Sequence, residues 1–192
     1  MSIQDIINAL NNDAFKAADT IASHAMNIIM YYWAQSFLVV LPLVAIYLFL
    51  RKDKDVFAFV VAAVVMYLVA DIIKMIVREP RPCELPSFSW INTYGCEGGF
   101  SFPSDHAATL TGLAFFVNKY KYVRIAYAAW LIGVLFGRVY LGAHFLTDVI
   151  AGIVLSVVLG WILYRYKEKI NGFCLRIFII TLKPLAPKKW LS

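Results

Sequence analysis

Long apolar blocks separated by short polar turns dominate the chain, and their lengths predict membrane-spanning helices. A helix of about 20 apolar residues crosses a hydrocarbon core of about 30 Å. Blocks that are apolar on every side, rather than on one face, are typical of helices surrounded by lipid. Five spans are predicted, at about residues 28–50, 56–77, 104–117, 122–140 and 145–164. The third is short, so flanking residues or local thinning of the bilayer must accommodate it.

The first 27 residues are too polar to cross a membrane, yet they carry a helical pattern. Apolar residues recur at helical spacing from Ile3 to Ile21, interrupted by Asp5, Asp13 and Lys16. This pattern is typical of an amphipathic helix that lies in the membrane interface. A sixth transmembrane helix in this segment is the alternative.

The whole pattern predicts an all-α fold, a polytopic membrane helical bundle. Residues 1–27 form the amphipathic interfacial helix, residues 28–166 the transmembrane core, and residues 167–192 a basic tail with a short interfacial stretch. The core has one long connection, the loop 78–103, which is rich in proline, glycine, serine and aromatic residues. Such a loop is usually functional or disordered, although anchoring at the interface explains its aromatic residues equally well.

Composition and charge support a membrane protein. The chain is 61% hydrophobic with a mean hydropathy of +0.71, whereas soluble domains are nearer half apolar. A net charge of +6 in a soluble protein would suggest nucleic acid as a partner. Here lysine and arginine fall in loops, where they set membrane orientation, so no nucleic-acid partner is expected.

The distribution of lysine and arginine predicts the orientation in the cell membrane. Thirteen lie in the turns 51–55 and 119–124 and in the chain after residue 164, and five lie on the other side. The positive-inside rule places the richer side in the cytoplasm. The C-terminus is therefore predicted to be cytoplasmic, and the loop 78–103 to face the extracytoplasmic side.

Ionisable residues at the ends of the predicted spans converge on that outer side. They come from three remote segments: Lys74 and Arg81; Ser104, Asp105 and His106; Arg138, His144 and Asp148. Buried charge is costly in a membrane, so such residues indicate a functional site. Arginine offers a planar fork to phosphate oxygens and lysine a point charge, and a helix N-terminus attracts anions. A phosphate group fits the whole set.

Each of these residues also has a structural explanation when it is taken alone. Ser104 and Asp105 suit the cap and first turn of a helix, and the Lys74 side chain can extend to the interface. His144 and Asp148 can form a structural pair on one helix face. Their joint occurrence favours a site in which histidine acts as nucleophile or proton carrier.

The three motifs together resemble the signature of the type 2 phosphatidic acid phosphatase superfamily. The motifs are Lys74-x6-Arg81-Pro82, Pro103-Ser104-Asp105-His106 and Arg138-x5-His144-x3-Asp148. The resemblance covers about residues 28–166. In style, the run from Ser101 to Ala107 is similar to the branch of bacitracin-resistance undecaprenyl-diphosphatases, which favours a polyprenyl diphosphate as substrate.

The resemblance implies a role for each residue. His144 attacks phosphorus and forms a phosphohistidine, Asp148 orients its imidazole, and His106 protonates the leaving oxygen and then activates water. The phosphate-binding residues are Lys74, Arg81, Arg138, Ser104 and Asp105. No metal or other cofactor is implied.

Two positions depart from the family pattern. Gly137 stands where serine is usual, which removes one contact to an oxygen. Asp105 stands where glycine is usual and brings a negative charge to an anion site. That charge should weaken phosphate binding unless it pairs with a lysine or arginine.

The leading function is hydrolysis of a polyprenyl diphosphate, of undecaprenyl or dolichyl type, to the monophosphate, which recycles the carrier lipid. A phosphatase of phosphatidate or phosphatidylglycerophosphate shares this chemistry, and the quoted residues do not separate the two. A non-catalytic lipid-phosphate binder or transporter is the alternative of another class. Cys83 and Cys96 share the outward loop, and a disulfide and two free thiols are equally compatible with the sequence.

Overall fold

Eight α-helices and one short 3-10 helix form the described part of the chain. The computed structural model describes residues 2–86, 96 and 98–182, and these contain no strand. The α-helices are α1 (Ile3–Asp19), α2 (His24–Gln35), α3 (Phe37–Leu50), α4 (Asp55–Val77), α5 (Asp105–Val117), α6 (Lys121–Tyr140), α7 (Leu146–Arg165) and α8 (Lys167–Leu182), and the 3-10 helix is Pro82–Glu84. The predicted all-α class is confirmed for these residues.

Four helical stretches within the described residues are long and apolar enough to cross a membrane. They are His24–Leu50, Asp55–Glu84, Lys121–Tyr140 and Leu146–Arg165, and they match four of the five predicted spans. The remaining predicted span is α5, whose 13 residues extend only about 20 Å at 1.5 Å per residue. The membrane helical bundle is thus confirmed as a class, and the count of five or six spans stays a prediction.

The first predicted span, residues 28–50, consists of two helices that meet at Ser36. The Ser36 hydroxyl donates a hydrogen bond to the carbonyl of Trp33 at 2.6 Å and accepts one from the indole of Trp130 at 2.8 Å. Serine side chains that bond to nearby carbonyls compete with the helical ladder. The same serine therefore marks the break between α2 and α3 and joins it to α6.

A capped helix occupies most of the predicted N-terminal segment. The Ser2 hydroxyl accepts the backbone N–H of Asp5 at 3.1 Å, and the Asp5 carboxylate accepts that of Ser2 at 2.7 Å. One face of α1 packs against α6 and α7, where Asn11 donates to the Thr147 hydroxyl at 3.2 Å. The opposite face leaves Ile3 exposed. Its position in the membrane interface stays a prediction.

Glycines on α7 bring α5 and α7 unusually close together. A Cβ atom at Gly152 would lie 2.6 Å from the carbonyl oxygen of Ser104, and one at Gly160 would lie 2.8 Å from the Cα atom of Gly112. Any side chain at these positions would therefore force the helices apart. The close approach places the N-termini of α5 and α7 side by side, where the Ser104 N–H donates to the Asp148 carbonyl at 3.1 Å.

A polar network around Asp55 holds the opposite end of the bundle. The Asp55 carboxylate accepts hydrogen bonds from Lys167 at 2.8 Å, from Lys119 at 3.2 Å and from the Asn171 amide at 2.9 Å. A buried carboxylate requires such partners because its desolvation is costly. The network attaches α8 to α4, so residues 167–182 form a docked helix within the segment predicted as a tail. Residues 183–192 lie outside the described residues.

Candidate active site

The predicted site residues meet at the end of the bundle where α5 and α7 begin. Lys74 lies in the last turn of α4, and Arg138 lies in the last turn of α6. His144 lies in the turn that precedes α7. Six of the eight are buried: Lys74, Arg81, Ser104, Arg138, His144 and Asp148. Lys74 and Arg138 are 64 residues apart in the chain, yet both belong to this one cluster. The charge pattern predicted that such remote segments would meet.

The His144 imidazole has a carboxylate and a hydroxyl beside its Nδ1 atom. Oδ2 of Asp148 lies 3.7 Å from its Nδ1, and Oγ of Ser101 lies 3.5 Å from the same atom. Ser101 also donates a short hydrogen bond to Asp148, whose Oδ2 accepts the N–H of Phe145 at 2.8 Å. These contacts direct Nδ1 towards Asp148 and leave Nε2 facing the neighbouring helix α5. Ser101 was not among the predicted site residues, although it lies only two residues before the second motif.

Nε2 of His144 is suited to act as a nucleophile. It is fully buried and has no hydrogen-bond partner among the described residues. Burial lowers the pKa of His144 to about 4, against the opposing effect of Asp148, and the charge of Arg138 acts in the same direction as burial. The ring is therefore neutral near pH 7 and keeps a lone pair, as a nucleophilic imidazole must.

Asp105 forms an ion pair with Lys74. Such a pair was predicted to be necessary if the Asp105 carboxylate was not to weaken phosphate binding. Its Oδ1 lies 2.9 Å from Nζ of Lys74, 3.7 Å from Nδ1 of His106 and 3.8 Å from Nε2 of His144. The His106 ring also packs edge-on against Phe37, with ring centroids 4.7 Å apart. Both histidines and Lys74 thus surround one small volume.

The two arginines make different contacts. The Arg81 guanidinium donates to the carbonyl oxygens of Ala143 at 2.9 Å, Gly99 at 3.2 Å and Gly98 at 3.4 Å, so it joins the loop to the turn before α7. The Arg138 side chain is only 1% exposed. The Arg138 carbonyl accepts the N–H of His144 at 3.2 Å, which fixes the histidine to the end of α6. The phosphate-binding role predicted for both arginines stays a prediction.

Ser104 caps α5. The sequence was compatible with this structural role as well as with phosphate binding. Its hydroxyl accepts the N–H of Ala107 at 3.4 Å, and its carbonyl accepts that of Ala108 at 2.8 Å. The cap directs the N-terminus of α5, with its positive dipole end, towards the cluster. Capping and phosphate binding are compatible because a hydroxyl accepts and donates.

Cys83 and Cys96 form a disulfide, with Cα atoms 5.9 Å apart. The N–H of Cys83 donates to the carbonyl of Gly142 at 3.1 Å. The cross-linked segment therefore contacts the turn that carries His144. The loop aromatics Phe88, Trp90 and Tyr94, predicted to suit the interface, lie outside the described residues.

Replacing both Cys83 and Cys96 with serine should lower the thermal unfolding temperature by roughly 5 °C. The disulfide joins residues 13 apart in the chain, and closing this loop restricts the unfolded chain. Replacing Cys174, a free cysteine on α8, is the matched control and should cause little change. Unfolding is followed by intrinsic fluorescence in detergent. Peptide mapping under non-reducing conditions that found both cysteines as thiols would contradict the pairing.

Three potential metal ligands also lie within the cluster. One ligand atom each of Asp105, His106 and His144 lies within 4.8 Å of the others. The ammonium of Lys74, however, sits 2.9 Å from the Asp105 oxygen, and a divalent cation beside it would meet strong repulsion. The set therefore suits an anion better than a metal ion.

Fold and site together define a helical membrane protein in which two histidines lie beside lysine and arginine side chains at one end of the bundle. The chain belongs to the PAP2 superfamily, whose family model matches residues 55–171. This confirms the predicted family.

Its relatives include several lipid phosphatases. The chain is 31% identical to phosphatidylglycerophosphatase B of Bacillus subtilis, over 86% of this chain and 91% of that protein. It is 23% identical to the undecaprenyl-diphosphatase BcrC of the same organism, over 93% and 97%. A lipid A 4'-phosphatase of Porphyromonas gingivalis is 31% identical over 62% of this chain, and the match spans only 56% of that protein. The predicted enzyme class, a lipid phosphatase, agrees with all three.

Two solved structures share the fold. The Aquifex aeolicus LpxE structure superposes with a TM-score of 0.72 at 24% identity, over 86% of this chain and 100% of that chain. A transmembrane PAP2 type phosphatidylglycerolphosphate phosphatase from Bacillus subtilis superposes with a TM-score of 0.66 at 26% identity, over 85% and 87%. The first likeness supports the fold alone, and the second also agrees with the phosphatase family.

Proposed function

We propose that the protein hydrolyses the phosphate headgroup of a membrane lipid, with a polyprenyl diphosphate as the leading substrate. The observation that carries this proposal is Nε2 of His144. It is buried, without a hydrogen-bond partner among the described residues, and 3.8 Å from the carboxylate that Lys74 holds. A lone pair aimed at a cationic pocket is the arrangement that attack on phosphorus requires.

The reaction follows from these positions in two displacements. Nε2 of His144 attacks phosphorus, the bond to the leaving oxygen breaks, and His106 transfers a proton to that oxygen. Water then attacks the phosphohistidine while His106 accepts a proton, which releases inorganic phosphate and restores the imidazole. Asp148 stabilises the positive charge on the ring, and Lys74 and Arg138 stabilise the charge on the phosphoryl oxygens.

An apolar groove supports a lipid as the substrate. A cavity of about 290 Å³ begins at Asp105 and His106 and runs between α3 and α4. Its walls are apolar and aromatic: Phe37, Leu41, Ala63, Val64, Tyr67, Leu68 and Leu110. Val64 and Tyr67 are about half exposed on the outer surface of the bundle, so the groove opens sideways. A lipid tail can lie there while its headgroup reaches the histidines.

Two substrates have specific support. Near end-to-end similarity to an undecaprenyl-diphosphatase and the several cations at the site favour a diphosphate. Higher identity to a phosphatidylglycerophosphatase favours a glycerolipid monophosphate as the second candidate. The excess of basic residues at the opposite end of the bundle supports an active site on the extracytoplasmic side of the cell membrane.

The proposal is tested by phosphate release from a panel of lipids. Purified protein in detergent is given undecaprenyl diphosphate, phosphatidylglycerophosphate, phosphatidate and lipid A, each beside a His144→Ala variant. The highest kcat/KM is expected for the polyprenyl diphosphate. A preference for phosphatidylglycerophosphate would select the second candidate, and no turnover of any lipid would favour a non-catalytic binder or transporter.

Excess EDTA should leave the rate of phosphate release nearly unchanged, because Lys74 and Arg138 supply the positive charge that a metal would otherwise supply. The measurement compares protein before and after dialysis against the chelator. A large loss of activity that Mg²⁺ or Zn²⁺ restores would contradict a metal-free site at Asp105, His106 and His144.

Replacing Val64 with tryptophan should lower kcat/KM for a long-chain substrate by about tenfold, because the indole fills the groove. Hydrolysis of a short-chain, water-soluble phosphate ester should change far less, since that substrate does not need the groove. Ile72→Trp is the matched control, because Ile72 is exposed on the same helix outside the groove. Equal losses on both substrates would argue against a tail in this groove.

A further inference from the structure

Three side chains to which the proposed function assigns roles at the phosphate, Lys74, His106 and His144, lie around one carboxylate oxygen. Oδ1 of Asp105 lies 2.9 Å from the Lys74 ammonium, 3.7 Å from His106 and 3.8 Å from Nε2 of His144. The Asp105 side chain is 23% exposed, so it lies at the entrance of the cluster rather than within the protein core.

The contact with Lys74 is the strong one of the three. An ammonium–carboxylate distance of 2.9 Å is that of a charge-assisted hydrogen bond. Asp105 lies farther from the two histidines, at 3.7 Å from His106 and 3.8 Å from His144. Its principal effect is therefore to occupy the lysine.

A carboxylate oxygen resembles a phosphoryl oxygen in charge and in accepting capacity. The position of Oδ1 is one at which a phosphoryl oxygen would contact Lys74 and both histidines. A phosphate and an ionised Asp105 repel each other strongly at such distances. The two anions therefore exclude each other from the site.

We propose that Asp105 is a resident competitor for phosphate and so a specificity-determining residue. Its carboxylate pairs with Lys74 until the phosphoryl group of a substrate displaces it. Only the Asp105 side chain must move, because the backbone at this point is held by the Ser104 cap. The inference rests on the proposed function, since it assigns Lys74 to the phosphoryl group.

Competition of this kind separates a phosphate carried by a lipid from free phosphate. A lipid adds binding in the groove next to His106 and can displace the carboxylate, whereas inorganic phosphate has no such additional contact. The product therefore leaves readily, and free phosphate in the surroundings does not occupy the site.

The test is equilibrium binding of inorganic phosphate to the purified full chain in detergent, measured by isothermal titration calorimetry. Asp105→Asn keeps the shape and removes the charge, and it should lower the Kd for phosphate by roughly tenfold. Asp105→Gly should act in the same direction. Asp13→Asn, a change of equal charge at an exposed position of α1, should leave the Kd unchanged. Adding Lys74→Met to Asp105→Asn should remove most of the gain.

Unchanged, weaker or undetectable phosphate binding in Asp105 variants that unfold at the wild-type temperature would overturn the inference. A gain that persists without Lys74 would overturn it as well. Because the Kd is measured without turnover, the two proposals fail separately. A working lipid phosphatase with an unchanged Kd in both variants rejects only the competitor. Tighter phosphate binding in a protein that hydrolyses no lipid rejects only the phosphatase.

Discussion

Replacing His144 with alanine is expected to abolish hydrolysis, with a fall in kcat/KM of at least about a thousandfold. The reason is that Nε2 of this ring is the buried atom that faces the cationic pocket, and alanine has nothing to attack phosphorus. His24→Ala is the matched control, because His24 is exposed at the start of α2 and should leave the rate unchanged. Phosphate release from the preferred lipid is the measurement.

A second measurement on the same variant tests the covalent step. Rapid quenching of the wild type with radiolabelled substrate should trap acid-labile phosphate on the protein, and His144→Ala should trap none. Substantial turnover by a His144→Ala protein with the wild-type unfolding temperature would reject this residue as the nucleophile.

Replacing Asp148 with asparagine should lower kcat by roughly a thousandfold or more while KM changes little. Oδ2 of Asp148 accepts hydrogen bonds from Ser101 and from the N–H of Phe145, and it faces Nδ1 of His144. An amide can no longer accept both bonds with a charged oxygen, and it cannot stabilise a positive ring. The effect is therefore on the chemical step rather than on binding.

Steady-state kinetics with the preferred lipid separate these effects. Ser101→Ala should give a smaller fall in kcat, because it removes one bond and keeps the carboxylate. Asp13→Asn again controls for net charge. A kcat for Asp148→Asn within tenfold of the wild type would show that the His144 ring needs no carboxylate partner.

Much of the site was predictable because its residues lie at helix ends. Apolar blocks predict where helices begin and end, and residues at equal depth in parallel or antiparallel spans lie near one another. This reasoning predicted that Lys74, Arg138 and His144 lie near one another, and the structure places all three at the same end of the bundle. The sequence also indicated that the Asp105 carboxylate needs a lysine or arginine partner, and Lys74 is that partner.

Other features depend on contacts between individual side chains, which the pattern of hydrophobic and polar residues does not reveal. The sequence predicts a cation at Arg81, but it does not predict the bonds from its guanidinium to three carbonyl oxygens. Ser101 contacts two predicted residues, His144 and Asp148, that lie more than 40 residues away in the chain. The hydrogen bond from the Trp130 indole to the Ser36 hydroxyl likewise joins residues 94 apart in the chain.

The helix α8 shows the limit of local pattern. Its sequence is too basic and short to span a membrane, so a tail was the natural prediction. Its docking depends on Asp55, which meets Lys167 and Asn171 across more than one hundred residues of chain. Pairings of that range are not visible in composition or spacing.

The sideways opening of the groove between α3 and α4 has a kinetic consequence. A substrate that enters there is encountered by diffusion in two dimensions, so the rate depends on its mole fraction among the surrounding lipids. Adding inert lipid or detergent should slow hydrolysis by surface dilution, whereas adding buffer should not. Michaelis constants for this protein are therefore properly expressed as mole per cent of the bilayer.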